Sequence, residues 1–217
     1  MNSIKLQLSK SRLYLVTDQE LSKNRDTVAT VEEALAGGVD IVQLREYSLT
    51  DAQLTEMAKT VRRMTSQSDT LFIVNNRPDI AKLSDADGVH LGQDDMPVQE
   101  ARKILGEGKL IGVSTHSLEQ ARKAVADGAD YIGVGPVYPT QTKKNVVAPV
   151  TLSYVKEAVA AALPIPFFAI GGIKLHNAEE VLQAGARRLA VVTGIVGALK
   201  VAKVTAEFKE LILKYPL

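Results

Sequence analysis

Eight short apolar runs divide this chain of 217 residues, and a longer stretch with helical periodicity follows each of them. In these stretches apolar residues recur three and four positions apart, which indicates helices with one buried face. The average unit of roughly 27 residues is close to the strand–helix unit of a (β/α)₈ barrel. The sequence therefore predicts an α/β fold, a single (β/α)₈ TIM barrel over residues 1–217, with an open doubly wound sheet as the alternative. The predicted strands are Leu13–Thr17, Ile41–Arg45, Leu71–Val74, Gly88–Leu91, Leu110–Ser114, Tyr131–Val134, Phe167–Ile170 and Leu189–Val192.

A short sequence motif that recurs where helices meet strands supports the prediction of a barrel. Each copy ends a helix, places a glycine where left-handed backbone is needed, and starts a strand. The copies are Ala36–Ile41, Ala126–Tyr131 and Gln183–Arg188, with Ser84–Val89 as a looser version. Three helix starts also show capping boxes, which pair Thr30 with Glu33, Thr50 with Gln53, and Ser117 with Gln120.

Composition and charge narrow the class of protein. Lys and Arg total 26 against 25 Asp and Glu, so the net charge of +1 gives no support for a nucleic-acid or membrane-surface partner. Cysteine is absent, which excludes a disulfide framework and a thiolate nucleophile. No apolar run approaches the roughly 18 residues of a membrane span, and the first residues lack the apolar core of a signal peptide. We therefore expect a cytoplasmic protein that acts on small molecules.

In barrels of this class the functional residues lie where the strands end at their C-terminal side. The residues at the ends of the eight predicted strands are nearly all polar or glycine. A single polar strand end means little, but eight sets that converge on one rim predict a site. In strand order they are Thr17 and Asp18; Gln43, Arg45, Glu46 and Tyr47; Asn75, Asn76 and Arg77; Gly92–Asp95; Ser114–His116; Gly135–Lys144; Gly171 and Gly172; and Thr193 and Gly194.

Two regions of this rim have the character of phosphate-binding loops. The stretch Ala129–Lys144 begins as a buried strand and continues into a loop whose hydroxyl and ammonium groups suit an anion, although a solvated surface loop is the alternative. The glycines after strands 7 and 8 lie where such barrels bind phosphate through backbone N–H groups, although tight turns are the alternative. The hydroxyl and ammonium groups belong to Thr140, Thr142, Lys143 and Lys144.

Other charged side chains at the rim point to a second anion and to a metal ion. Arg45, with Lys143 or Lys144, is suited to a more highly charged anion. Asp95, with or without Asp94, is suited to Mg²⁺, which prefers oxygen ligands and commonly bridges to substrate phosphates. The alternative for this acidic pair is a helix N-terminus, where carboxylates are favoured anyway.

The three histidines have different expected roles. His116 follows strand 5, where it is placed either to transfer a proton or to serve as a structural hydrogen-bonding residue. His90 lies inside strand 4 and is expected to be structural. His176 precedes a predicted helix and is expected at the surface.

Six segments of the sequence together resemble the thiamine phosphate synthase family, which includes the related thiazole tautomerases. The resemblance runs from about Leu13 to about Ile195, which is nearly the whole chain. No segment is specific by itself, but the combination is. The segments are Leu13–Asp18, Gln43–Glu46, Ala86–Asp95, Gly112–Ser117, Gly128–Lys144 and Ala169–Ile173.

The resemblance implies a transferase that joins a hydroxymethylpyrimidine diphosphate to a thiazole phosphate and releases diphosphate. In this reaction a pyrimidine-methyl cation forms and the thiazole nitrogen traps it, so positive charge and Mg²⁺ on the leaving group matter more than a strong base. The implied substrate ligands are Gln43, Arg45, Asn75, Asn76, Ser114, Thr140, Thr142, Lys143, Gly172, Thr193 and Gly194. The implied metal ligands are Asp95 and Asn76, and the residues expected to act in catalysis are Arg45, Ser114, Lys143 and His116.

Two departures from the synthase pattern weaken the diphosphate end of this predicted site. Tyr47 stands where the family usually has Lys, and Asn76 stands where it usually has Asp as a second Mg²⁺ ligand. Each change removes one charge, and the neutral amide oxygen of Asn should hold Mg²⁺ less tightly. Thr193–Ile195 also replaces the usual Ser-Ala-Ile, and a Gly common near Val150 is absent. Similar losses mark the tautomerase branch, in which a His at the position of His116 transfers protons.

Three functions therefore stay open. The intact segments Gly92–Asp95 and Thr140–Lys144 favour the synthase, whose activity should require Mg²⁺ and fail on Asp95→Ala or Lys143→Ala. A thiazole tautomerase should work in the presence of a chelator and fail on His116→Ala. A non-catalytic phosphate-binding barrel would hold the thiazole phosphate and turn over neither substrate. Family resemblance also allows a homo-oligomer.

Overall fold

Eight parallel strands form a closed barrel. A computed structural model describes residues 3–23, 25–140, 142 and 148–217. Each strand pairs with its neighbours in chain order, and β1 also pairs with β8, which closes the barrel. The predicted (β/α)₈ architecture is confirmed. The strands are β1 (Leu13–Val16), β2 (Ile41–Leu44), β3 (Leu71–Asn75), β4 (Gly88–Leu91), β5 (Leu110–Thr115), β6 (Tyr131–Val134), β7 (Phe167–Ile170) and β8 (Leu189–Val191).

Helices alternate with these strands along the chain. None of the helices in the described residues is both long and apolar enough to span a membrane. They are α1 (Ser3–Lys10), α2 (Thr27–Ala36), α3 (Asp51–Thr65), α4 (Pro78–Leu83), α5 (Val98–Leu105), α6 (Leu118–Ala126), α7 (Thr151–Ala160), α8 (Leu175–Gln183), α9 (Thr193–Val196) and α10 (Val201–Leu213), with a 3₁₀ turn at Glu20–Ser22.

The ends of the strands differ from the sequence prediction by at most one residue. β1, β2 and β8 end one residue earlier than predicted, and β3 and β5 end one residue later. The last rung of a parallel ladder is set by hydrogen bonds to the neighbouring strands, which the sequence of one strand does not encode.

The core consists of two layers, one on each side of the cylindrical sheet. The larger layer lies between the strands and the surrounding helices. The smaller layer fills the barrel interior, where Tyr14 and Phe168 make an edge-to-face contact with ring centres 5.3 Å apart. Ile4 and Leu8 of α1 pack against this inner layer. Helix α1, which the sequence analysis did not predict, therefore covers one end of the barrel interior.

Three glycines adopt the left-handed backbone conformation that the repeated sequence motif predicts. The φ angle is +83° at Gly38, +90° at Gly128 and +107° at Gly185. A residue with a Cβ atom is strained in this region, so glycine is favoured there. In the looser copy Asp85 takes the same position with a φ of +52°. The copies therefore share a backbone conformation even where the residue differs.

Two of the three predicted capping boxes lie at helix starts. The box of α3 is complete, because the Thr50 side chain accepts from the Gln53 N–H and the Gln53 side chain accepts from the Thr50 N–H. At α6 the Ser117 side chain accepts from the Gln120 N–H. The Gln120 side chain instead accepts from the N–H of His116, at 2.7 Å. Only one half of this second box is therefore present, because the Gln120 side chain bonds to the residue before Ser117.

The predicted capping box at Thr30 and Glu33 is wrong. Helix α2 begins at Thr27 and is capped by Asp26, whose side chain accepts from the backbone three residues on, so Thr30 lies inside the helix. Glu33 accepts from the N–H of Val201 at 3.0 Å, at the start of α10. A tertiary contact therefore uses the carboxylate that the local pattern assigned to a cap.

Three aspartates connect neighbouring strands at the N-terminal end of the barrel. Asp40, Asp87 and Asp130 lie directly before β2, β4 and β6. Each carboxylate accepts from a backbone N–H at the start of the preceding strand, at 2.8 to 2.9 Å. Each also has a cationic partner: Lys209 for Asp40, Arg62 for Asp87, and Arg102 and Lys5 for Asp130.

Replacing Asp130 should therefore destabilise the barrel. Asp130→Asn removes the charge that faces Arg102 and Lys5, so we expect a loss of about 2 to 4 kcal/mol in the free energy of unfolding, measured by urea denaturation. Asp127→Asn is the matched control, since its partner Lys123 is 70% exposed, and should cost below about 1 kcal/mol. Equal losses in the two variants would contradict this role for Asp130.

Candidate active site

Arg45 lies at the barrel mouth directly after β2, and only 4% of it is exposed. Its Nη1 forms an ion pair with Asp18 Oδ2 at 2.8 Å, and its Nη2 donates to the carbonyl oxygen of Thr142. Its Nε donates to the Tyr47 hydroxyl at 3.3 Å, and the guanidinium lies 4.7 Å from the centre of the Tyr47 ring. Since β2 and β6 face each other across an eight-stranded barrel, the contact with Thr142 spans the mouth.

Glu46 fixes the backbone that carries Arg45. Its Oε1 accepts from the hydroxyls of Thr17 and Thr27 at 2.8 and 2.9 Å, and its Oε2 accepts from the N–H of Gln19 at 2.9 Å. Thr17 Oγ1 in turn accepts from the N–H of Arg45 at 3.0 Å. Burial raises the pKa of Glu46 above its ordinary value. Glu46 therefore ties the loop after β1 and the start of α2 to the end of β2.

The two predicted metal ligands are adjacent, at the ends of β3 and β4. Asn76 Nδ2 donates to Asp95 Oδ1 at 3.0 Å, and the N–H of Gly92 donates to Asp95 Oδ2 at 2.6 Å. Asn76 has a φ of +45°, a conformation that Asn tolerates better than most residues. Asp94, the other carboxylate considered, is exposed. The structure thus places one half-buried carboxylate and one amide together.

A chain of buried hydrogen bonds links two predicted site residues through the barrel interior. Gln43 Nε2 donates to the Tyr14 hydroxyl at 2.7 Å, and the Tyr14 hydroxyl lies 2.9 Å from the Tyr131 hydroxyl. His90 lies 3.2 Å from the Tyr131 hydroxyl through Nδ1 and 2.9 Å from Ser114 Oγ through Nε2. The amide of Gln43 and the hydroxyl of Ser114 are therefore oriented from the interior.

Both tyrosines of this chain keep their protons at neutral pH. Burial raises the pKa of Tyr14 and of Tyr131 well above the ordinary value of a phenol. Their hydroxyls therefore serve as neutral hydrogen-bonding groups. The expected structural role of His90 includes a direct contact with Ser114.

His116 lies at the rim after β5, and its ring contacts the end of β6. Its Nδ1 lies within hydrogen-bond distance of the carbonyl oxygen of Gly135. A carbonyl oxygen only accepts, so Nδ1 carries a proton, and in the neutral ring Nε2 is the basic atom. His176 is exposed in the first turn of α8.

The loops after β7 and β8 meet around Lys174. Its ammonium group donates to Thr193 Oγ1 at 2.6 Å, and burial lowers its pKa. A Cβ atom on Gly172, whose φ is +65°, would lie 2.7 Å from Tyr138 Cβ, so only glycine fits there. Thr193 and Gly194 are the first two residues of α9. The structure therefore adds an ammonium group to the predicted phosphate loops.

The remaining predicted residues are Asn75 and four residues of the segment after β6, of which the structure describes Thr140 and Thr142. Thr140 Oγ1 lies 3.3 Å from Thr142 Oγ1 and accepts from the Thr142 N–H at 3.4 Å. Lys143 and Lys144 lie outside the described residues. Asn75 is half-buried at the end of β3. A cavity of about 570 Å³ beside the loop after β6 is lined by Val137–Pro139, Pro149 and Thr151–Ser153, none of them a predicted substrate or metal ligand.

Sequence reasoning missed four of the side chains that shape this site. Tyr14 and Tyr131 lie in predicted apolar strands, and strand alternation puts Tyr14 on the same side as Val16, facing the interior. Asp18 follows strand 1, where the sequence predicts no specific role for it, and its pairing with Arg45 depends on the closed barrel. Lys174 gave no signal beyond its place two residues after a glycine pair.

Fold and site together define a (β/α)₈ barrel with cationic, carboxylate and hydroxyl side chains at its mouth. The family model described as thiamine monophosphate synthase matches residues 13–195. The chain therefore belongs to the thiamine monophosphate synthase family, and the resemblance drawn from the sequence motifs is confirmed.

Individual relatives agree with this assignment. A thiamine-phosphate synthase of Halalkalibacterium halodurans is 50% identical over 187 residues, which cover 86% of this chain and 88% of that protein. One of Lawsonia intracellularis is 47% identical over 201 residues, which cover 93% of this chain and 92% of that protein. The solved structure of a thiamine phosphate pyrophosphorylase from Pyrococcus furiosus superposes with a TM-score of 0.87 at 37% identity, covering 98% and 99% of the two chains.

The buried carboxylate of Glu46 should give a recognisable pH dependence of stability. Because its pKa in the folded protein lies above the value of about 4.3 for an unfolded chain, its contribution is complete below that value and is lost as the pH rises through the folded pKa. We expect the free energy of unfolding of the natural protein, relative to Glu46→Gln, to fall as the pH is raised over a range that begins at about pH 4.3. Urea denaturation of both proteins across this range measures it, and a constant difference would contradict the prediction.

Proposed function

We propose that this chain is a transferase that joins a hydroxymethylpyrimidine diphosphate to a thiazole phosphate and releases diphosphate, as a thiamine-phosphate synthase does. The observation that carries the proposal is the presence of two groups of polar and cationic side chains on separate arcs of the mouth. Arg45 follows β2, and the Asn76 and Asp95 pair follows β3 and β4, while Lys174 with Thr193 lies in the loops after β7 and β8. A reaction between a diphosphate and a monophosphate requires two such places.

The side chains have distinct roles in this reaction. The bond between the pyrimidine methylene carbon and the diphosphate oxygen breaks with both electrons leaving on diphosphate, and the thiazole nitrogen then supplies the pair for the new carbon–nitrogen bond. Arg45, oriented by Asp18, binds the departing diphosphate. Gln43 and Ser114, oriented through the tyrosine chain, hold the pyrimidine between these groups. Lys174 and Thr193 hold the thiazole phosphate.

The donor set at β3 and β4 fits Mg²⁺. The described residues hold no cluster of three or more Asp, Glu, His or Cys side chains. Mg²⁺ commonly takes only one or two carboxylates and completes its shell with water and substrate phosphates. Asp95 and the amide oxygen of Asn76 would hold the ion, which when bound neutralises charge on the diphosphate.

Tautomerisation of a thiazole phosphate is the second candidate, and the orientation of His116 favours it. The proton on Nδ1 faces Gly135, so Nε2 is the atom that would exchange a proton with a substrate. This reaction needs neither a metal nor a diphosphate.

One assay separates the two candidates. The purified protein is mixed with the pyrimidine diphosphate, the thiazole phosphate and Mg²⁺, and thiamine phosphate and diphosphate are measured. We expect both products, and we expect them to disappear on addition of a chelator or in Asp95→Ala, while Asp94→Ala, a change in the exposed neighbour, stays active. Absence of product, together with turnover of a thiazole phosphate carboxylate that fails in His116→Ala, would replace the synthase with the tautomerase.

Asn76→Asp should tighten the binding of Mg²⁺. The substitution puts a second carboxylate beside Asp95, where two negative charges repel each other until a cation lies between them. We expect about a tenfold lower Mg²⁺ concentration for half-maximal activity, and a larger rise of the melting temperature on Mg²⁺ addition than in the natural protein. Gln67→Glu, which adds the same charge at an exposed position after α3, is the control. An unchanged Mg²⁺ response in Asn76→Asp would show that this residue does not contact the metal.

Lys174→Met should selectively weaken the binding of the thiazole phosphate. Loss of a charge-assisted contact to the thiazole phosphate should raise the KM for that substrate about tenfold and leave the KM for the pyrimidine diphosphate unchanged. Lys156→Met, a change at an exposed position of α7, is the control. A parallel rise of both KM values would contradict the assignment of Lys174 to the thiazole phosphate.

A further inference from the structure

The N-terminal end of the barrel has four equivalent junctions, one before each even-numbered strand. At three of them the residue directly before the strand is Asp40, Asp87 or Asp130. At the fourth, before β8, that residue is Arg188. One junction in four therefore has a cation where the others have a carboxylate.

The three aspartates make the same pair of interactions. Each carboxylate accepts from a backbone N–H at the start of the preceding strand, and each faces a lysine or arginine. A negatively charged carboxylate is therefore a shared feature of these three junctions. A junction that lacks it has an electrostatic deficit that a bound anion would fill.

The two arginines before β8 are not paired with a carboxylate in the described part of the chain. Arg188 Nη2 donates to the carbonyl oxygen of Ser9 at 3.0 Å, and Arg187 Nη1 donates to the carbonyl oxygens of Leu182 and Ala186. Arg188 Nε is buried and has no hydrogen-bond partner among those residues. Burial and the nearby charge of Arg12 both lower the pKa of Arg188. These guanidinium groups are held in place without a counter-charge.

A cavity of about 370 Å³ lies at this junction. Both arginines and Ser9 line one part of it, and Val159, Leu163 and Phe167 belong to its apolar part. Val159 is 40% exposed, which places it where the cavity meets solvent. Cationic and apolar groups are therefore presented together, at the end of the barrel opposite the mouth.

We propose that this cavity binds a small monocarboxylate with an apolar body. Its carboxylate lies against Arg187 and Arg188 and supplies the charge that Asp40, Asp87 and Asp130 supply at the other junctions. Its apolar body packs against Val159, Leu163 and Phe167. A guanidinium presents several donors in one plane, which suits the two oxygens of a carboxylate.

The probe for this site is 4-fluorobenzoate, followed by ¹⁹F NMR titration. We expect saturable binding to the natural protein and to Arg45→Met, in which the mouth lacks its arginine. Arg188→Asp places a carboxylate at the junction as in the other three, and should weaken binding at least tenfold. No saturable binding to the natural protein would overturn the proposal.

A second pair of variants tests the same site without removing an arginine. Val159→Glu adds a negative charge at the cavity opening and should weaken binding about tenfold, whereas Val159→Gln, of the same shape, should change it less than twofold. Circular dichroism melting identifies any variant that fails to fold. If Arg188→Asp fails to fold, the comparison of Val159→Glu with Val159→Gln decides the outcome. Equal binding to Val159→Glu and Val159→Gln, or a loss in Arg45→Met, would place the probe elsewhere and refute the proposal.

Discussion

The pairing of β1 with β8 is the constraint on which the rest of the molecule depends. Leu13 lies in register with Leu189 and Leu15 with Val191, so the first and last strands close one cylinder. Closure brings all eight strand ends to a single rim, and contacts between distant parts of the chain follow from it. Arg45 reaches Thr142 across the mouth only because β2 and β6 are held on opposite sides of that ring. The same closure leaves no exposed strand edge.

The barrel interior holds more polar atoms than a purely structural core needs. A buried hydroxyl or amide costs free energy unless it is hydrogen-bonded, and the chain from Gln43 to Ser114 gives each of its members a partner. Tyr14 and Tyr131 are buried and belong to the core layer inside the barrel. Their benefit is orientation, because a fully bonded network allows few alternative rotamers. The interior therefore supplies the rigid base of the mouth at the expense of a simpler apolar packing.

The sequence was sufficient for the barrel because each of its signals is local. Apolar runs, helical periodicity and left-handed glycines such as Gly38 and Gly128 depend on a few neighbouring residues. It also placed Asn76 and Asp95 in one region, since both follow strands. It was not sufficient where a tertiary contact replaces a local one. The Glu33 carboxylate, for example, accepts from the N–H of Val201 instead of capping α2. Lys174 was missed for the related reason that its partner lies on the next strand's loop.

The charges at the ends of β1 to β4, where we propose that the diphosphate binds, favour a metal ion in the proposed reaction. The described side chains there include one guanidinium, that of Arg45, and two carboxylates, those of Asp18 and Asp95, so their net charge is negative. Tyr47 and Asn76 are neutral where the family usually has a positive and a negative residue, and their exchange leaves this balance unchanged. A diphosphate would be repelled by such a surface unless further positive charge accompanied it. Lys143 or Lys144, and a Mg²⁺ ion held by Asp95, are the sources that the sequence analysis predicts. In the proposed reaction, Mg²⁺ would therefore supply positive charge on the diphosphate that Arg45 alone does not provide.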